Sequence, residues 1–199
     1  MPKLITISAG RAAPLEAQAG DGGVRRVMSA IRKTPVGDIV AVRALGLDGD
    51  EQVDLSAHGG IDKAVYLYPV EHYPFWETVR EQAGIVDALP HGSLGENLTV
   101  SGLLEAQVWV GDRLRFGEVE LVVTQPRTPC YKFDAHFGFR WASKMMVQSG
   151  YTGFYCAVVR PGRLAAGEQI ELVAGERTLS VEQAHRLKTR GAASRFFLG

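Results

Sequence analysis

Cysteine is scarce in this chain, with only Cys130 and Cys156 among 199 residues. Two thiols make no disulfide framework, so an apolar core must hold the fold, and each thiol is either a small core residue or a reactive group. Surplus charge is also lacking. Twenty-two basic side chains balance 22 acidic ones, interspersed along most of the chain, which leaves no basic footprint for duplex nucleic acid. No run approaches the ~20 apolar residues of a membrane span, and the opening MPKLITISAG is too short and interrupted for a signal peptide. We therefore expect a cytoplasmic protein that binds neither nucleic acid nor membrane. Familiar catalytic signatures are missing too: there is no Walker loop, no GxGxxG after a strand, no HExxH, no CxxC and no GxSxG elbow. The histidines His58, His72, His91, His136 and His185 lack zinc-ligand spacing.

What is present is ordinary globular material, 46% apolar and 22% charged, enough for one domain that buries roughly 70% of its unfolded surface. Short alternating apolar runs separated by glycine-bearing turns read as strands: 4–8, 38–45, 63–68, 153–159 and 168–173, with a hairpin succession over 106–125. Evenly spaced short strands favour a barrel or folded sheet over βαβ units. Helices are predicted at 74–83, behind Pro74, and at 138–148, ending at Gly150. A third begins at the capping box Ser180-Val181-Glu182-Gln183 and ends at Gly191.

Candidate chemistry centres on 124-TQPRTPCYKF-133, a stretch predicted to form neither a helix nor a regular central strand. A thiol reacts or binds metal as the thiolate, and a guanidinium such as that of Arg127 favours the thiolate of Cys130. Pro126 and Pro129 stiffen the segment. A packed, inert cysteine remains the alternative, and it is the expected reading for Cys156 within its alternating strand. In 58-HGGIDK-63, His58 precedes Gly59 and Gly60, whose N–H groups can form an anion-binding concavity; a turn histidine satisfied by backbone explains the same residues. In 92-GSLGENL-98, backbone N–H groups near Ser93, Gly95 and Glu96 can cradle a phosphate while Asn97 reads a ring edge, or the segment is simply a turn entering a strand. Lys33, before Thr34-Pro35, is either a solvated lysine or a further cation.

Taken in order, Lys33-Thr34-Pro35-Val36, GLDGDEQVD at 46–54, HGGIDKAVYLY at 58–68, HYPFW at 72–76, GSLGENLTV at 92–100, VGDRLRFG at 110–117 and QPRTPCYK at 125–132 resemble the MOSC domain, the molybdenum-cofactor-sulfurase C-terminal domain, and within it the stand-alone bacterial YiiM-like branch. The resemblance covers roughly residues 3–173. It implies a mostly β, closed barrel-like fold over 1–174 with a few flanking helices, and a short C-terminal helical segment over 175–199 where branch members carry three helices. It also implies that the molybdenum cofactor (molybdopterin) is bound. Carried onto this sequence, the cofactor-binding residues are Lys33, His58, Gly59, Gly60, Ser93, Gly95, Glu96, Asn97, Gln125 and Arg127. Cys130 is the metal ligand and catalytic thiol, and His58 is a catalytic acid. The implied activity is reduction of small N-hydroxylated compounds, such as N-hydroxylated nucleobases. With no flavin, haem or iron–sulfur motif apparent, electrons must come from a donor protein. A monomer or homodimer is expected. The alternative implied by the same resemblance is a non-redox cofactor-binding protein that carries sulfur on Cys130 as a persulfide.

Overall fold

Val65-Tyr66-Leu67-Tyr68 places a large side chain at every position, so a strand there must bury both of its faces. In the computed structural model, which describes residues 1–18, 23–37, 39–53 and 59–196, it does. The described residues form thirteen strands: β1 (Lys3–Ala9), β2 (Ala13–Gln18), β3 (Val24–Ser29), β4 (Thr34–Pro35), β5 (Ile39–Arg43), β6 (Gly46–Leu47), β7 (Val65–Pro69), β8 (Leu98–Ser101), β9 (Arg113–Phe116), β10 (Val119–Pro126), β11 (Phe154–Arg160), β12 (Gly162–Ala165) and β13 (Glu171–Val173). Four α-helices accompany them: α1 (Tyr73–Gln82), α2 (Tyr131–Phe137), α3 (Ala142–Ser149) and α4 (Val181–Phe196). No helix among these is long and apolar enough to cross a membrane.

Eight strands make one sheet in the order β13-β9-β10-β11-β7-β8-β1-β4. Backbone bonds from Leu4 N to Glu168 O (2.9 Å), Gly167 N to Leu4 O (2.8 Å) and Ile170 N to Pro2 O (2.9 Å) bring β1 beside the residues leading into β13. The sheet therefore curls on itself, and the mostly β, barrel-like expectation holds. Its pairings are antiparallel except β7 with β8, whose parallel register needs the crossover that carries α1. β12-β5-β6 and the hairpin β2-β3 are separate small sheets.

Strand alternation decides the core. Val65 and Leu67 of β7 point into the curled sheet with Leu98, Val123, Phe154 and Cys156. Tyr66 and Tyr68 point the other way, into an aromatic layer with Trp76, Phe133 and Phe137 beneath α1, α2 and α3. Each such side chain contributes roughly 1.5–3 kcal/mol on burial. Cys156 is fully buried, and desolvation pushes its thiol pKa well up, so it is the inert core cysteine that the strand pattern predicts. In α1, Tyr73, Trp76 and Val79 recur along the buried face, and the indole N–H of Trp76 donates to the Tyr68 hydroxyl at 2.5 Å.

Several predicted bounds shift for physical reasons. Thr124–Pro126 belong to β10, a central strand between β9 and β11, and α2 starts immediately after Cys130; only residues 127–130 of the stiffened stretch lack regular structure. Residues 106–110 are not a strand, because the buried Asp112 carboxylate accepts the N–H of Trp109 (3.1 Å) and of Gly175 (2.8 Å) and folds the segment into a turn. The helix predicted over 138–148 starts later, as α3 at Ala142, because Gly138, at φ 74°, is the cap that closes α2. Gly191 does not end α4, which continues to Phe196, since a helical glycine costs only about 1 kcal/mol. The capping box is as expected, Ser180 N donating to Gln183 Oε1 (3.0 Å) and Gln183 N to Ser180 Oγ (3.1 Å).

Candidate active site

The end of β10 and the start of α2 fix Arg127 and Cys130 on one side of a cleft. Cys130 is the N-cap residue of α2, in extended conformation (φ −134°, ψ 174°), and its carbonyl accepts from Phe133 N at 2.8 Å and Ser143 Oγ at 3.0 Å. Its side chain is half-buried and lines the cleft. Arg127 is 6% exposed. Its guanidinium lies over the rings of Tyr66 and Phe133, 4.8 and 4.9 Å from their centroids, and Nη1 donates to the Leu94 carbonyl. Desolvation opposes its charge, but Tyr66, Tyr155 and Cys130 favour it and the pKa ends above the usual arginine range. The attraction is mutual, so the fixed guanidinium favours a thiolate on Cys130.

Lys33 enters from the opposite wall. Its ammonium pairs with Asp50 Oδ1, and both side chains are buried, at 9% and 6% exposure. Burial lowers the lysine pKa, and Asp50 works against that shift. Asp50 also accepts the N–H of Gly10 (2.8 Å) and the Asn97 amide (2.8 Å). The sequence offered Asp50 only within the segment GLDGDEQVD, with no role of its own, yet Asp50 is the residue that holds Lys33. Lys63, Lys132, Tyr66 and Tyr155, likewise not singled out, line the same cleft.

Of the predicted site residues, Lys33, Gly95, Asn97, Arg127 and Cys130 converge on the cleft; Gly59, Gly60, Ser93, Glu96 and Gln125 are not among its lining residues. His58 lies outside the described residues. Gly60 N donates to Gln52 Oε1 at 2.9 Å, and the Ser93 carbonyl accepts from His136 Nε2 at 3.0 Å. Gln125 Oε1 accepts from Lys188 Nζ at 2.9 Å. In the 92–98 loop the N–H groups of Ser93 and Gly95 are used internally, donating to Pro90 O (3.1 Å) and Gly92 O (2.9 Å). Gly92 N (2.8 Å) and Leu94 N (3.1 Å) donate to the fully buried Glu96 carboxylate, which also accepts from Thr99 Oγ1 (2.9 Å) and the Tyr73 hydroxyl. Asn97 is spent internally as well: Oδ1 accepts Tyr66 N (3.0 Å), and Nδ2 donates to Asp50 and the Ser8 carbonyl (3.4 Å). Gly92, at φ 93°, brings the loop so near Lys33 that a Cβ would stand 2.8 Å from the lysine carbonyl. The loop thus shapes the wall that presents Lys33.

Fold and cleft together define a mostly β, barrel-like domain with a thiol and fixed cations in one depression. The chain belongs to the MOSC domain family, whose model matches residues 54–171. It is 41% identical over 169 residues to the YflK protein of Bacillus subtilis (strain 168), covering 84% of this chain and 74% of that one. With the YiiM protein of Escherichia coli (strain K12) it shares 38% identity over 156 residues, 78% of this chain and 69% of that one. A protein of Gibberella moniliformis named reductase is 34% identical over 148 residues, 74% of this chain but only 26% of the fungal protein. The crystal structure of YiiM from Geobacillus stearothermophilus superposes with a TM-score of 0.75 at 30% identity, covering 99% of this chain and 90% of that one.

Proposed function

We propose that this protein is a reductase of N-hydroxylated compounds that works with a bound molybdenum cofactor. The observation that carries the reading is the convergence of Arg127 and Cys130, from one segment, with Lys33, from another, on one cleft. The donor set fits the group. Cys130 offers a half-buried soft thiolate suited to molybdenum. Lys33 has given one N–H to Asp50 and Arg127 one to Leu94, which leaves donors on both for a phosphate. The cofactor would supply the two-electron redox chemistry.

The chain's own residues bind and orient. Reduction of R–NHOH to R–NH2 breaks the N–O bond, takes up two electrons and two protons and releases water. Lys33 holds a proton at Nζ, and His58 is the acid that the proposal assigns on sequence grounds. Electrons come from a partner protein.

The test is metal and pterin analysis of protein made in a cofactor-competent host. Molybdenum and pterin are expected in near-stoichiometric amount. Cys130→Ala is expected to lose most of the metal and at least about a hundredfold in turnover. Protein devoid of molybdenum would overturn the proposal. An added sulfur on Cys130 by mass spectrometry, without hydroxylamine turnover, would transfer the assignment to a sulfur carrier.

A further inference from the structure

Two further lysines line the cleft. Lys63, in the 3₁₀ turn Ile61–Lys63, and Lys132, in the first turn of α2, both line it beside Cys130. Lys188 reaches over from α4 and donates to Gln125 Oε1 at 2.9 Å, on the strand end that carries Arg127. That strand end is tied to the Lys63 turn, Thr124 Oγ1 donating to the Asp62 carbonyl at 2.6 Å. Burial, and then the Lys63 charge, lower the pKa of Lys188, so the two ammonium groups feel one another. Neither Lys132 nor Lys188 has a carboxylate partner among the described residues. Among the described lining residues the acids are Asp50, which holds Lys33, and Glu51, which accepts the N–H of Ala12 at 2.7 Å.

We propose that Lys63, Lys132 and Lys188 form a second anion subsite at the rim of the cleft, and that it takes a phosphate carried by the substrate. The substrates favoured on this basis are N-hydroxylated nucleotides over the free bases. The inference rests on the reductase reading for the identity of the reacting group. An uncharged purine gains little from crowded ammonium groups, whereas a nucleoside 5′-monophosphate relieves their repulsion. Gln125 is suited to the task because a neutral amide fixes Lys188 without cancelling its charge, so a bound phosphate meets a pre-positioned donor.

The experiment uses cofactor-loaded protein and a small-molecule reductant, reduced viologen, so that no protein donor enters. KM and kcat are measured for an N-hydroxylated purine and for its nucleoside 5′-monophosphate, in the wild type, in Lys188→Gln and in Lys63→Gln/Lys188→Gln. Calorimetric titration of the same two compounds provides a readout independent of turnover. The monophosphate is expected to show a KM about tenfold lower, a ratio that falls toward unity in the double variant and at high salt while kcat stays within about twofold. Equal KM values in the wild type, or a ratio that the lysine changes leave intact, would overturn the subsite. Loss from the double variant of a nucleotide-extended cofactor would overturn it as well. If neither compound is reduced, the reductase reading fails and calorimetry decides the subsite: tighter monophosphate binding that weakens in the double variant sustains it, and equal binding removes it.

Discussion

Asp50 accepts from Gly10, Lys33 and Asn97 at once. Replacing it by Asn leaves a buried ammonium without its counter-charge, at a cost of about 3–5 kcal/mol. Asp50→Asn is therefore expected to lower the urea midpoint sharply, and Lys33→Met added to it to recover part of the loss. Strict additivity in that cycle would show that the pair is not coupled. A second residue-scale prediction concerns His136, whose pKa burial lowers to about 4, with Arg127, Arg32 and Arg80 adding to the shift against the Ser93 contact. The unfolded chain binds this proton more readily, so stability falls with pH from about 6.5 toward 4. His136→Gln is expected to flatten the melting temperature over that window; an unchanged slope would refute the assignment. Cys130 and Arg127 were legible because a thiol beside an arginine between prolines has few structural uses. Asp50 was not legible. An acid directly after a glycine, in a run of small and acidic residues, reads as a turn residue, and only the fold, which brings Gly10, Lys33 and Asn97 to it, reveals its role.

At the scale of elements, local chemistry was readable wherever side chain and backbone cooperate over a few residues. The Ser180–Gln183 box started α4 as expected, and Ser180→Ala is predicted to cost about 1 kcal/mol in thermal or urea unfolding. The hairpin β2-β3 had no such signature. Pro14 and the alanines of β2 are weak strand formers, and the hairpin's register is set by burying Leu15 and Ala17, with α2 alongside. α2 itself was hidden because Pro126 and Pro129 dominate the local reading, although both precede its first turn. In the 92–98 loop the glycines left two readings open, a phosphate cradle or a turn entering a strand. The fold shows a turn closed on itself, with the buried Glu96 carboxylate accepting Gly92 N and Leu94 N, two to four residues away.

Across the whole molecule, the C-terminal helix shares the core of the curled sheet. Val181 is fully buried with Val108 and Val123, and its N–H donates to Val108 O at 2.9 Å. Helix and sheet are thus predicted to unfold together, with tryptophan fluorescence and far-ultraviolet circular dichroism giving coincident denaturant transitions. Separate midpoints would show that the tail is an independent unit. The seating of Arg127 has a kinetic corollary. Wedged over two rings and tethered to a carbonyl, this group shed its hydration when the polypeptide collapsed, not when a guest appears. An arriving anion has neither a rotamer to await nor a water shell to strip from its host, so its capture rate would be governed by diffusion and by its own desolvation. The template is cast in advance, and what it admits depends on how well a visitor's charges match it.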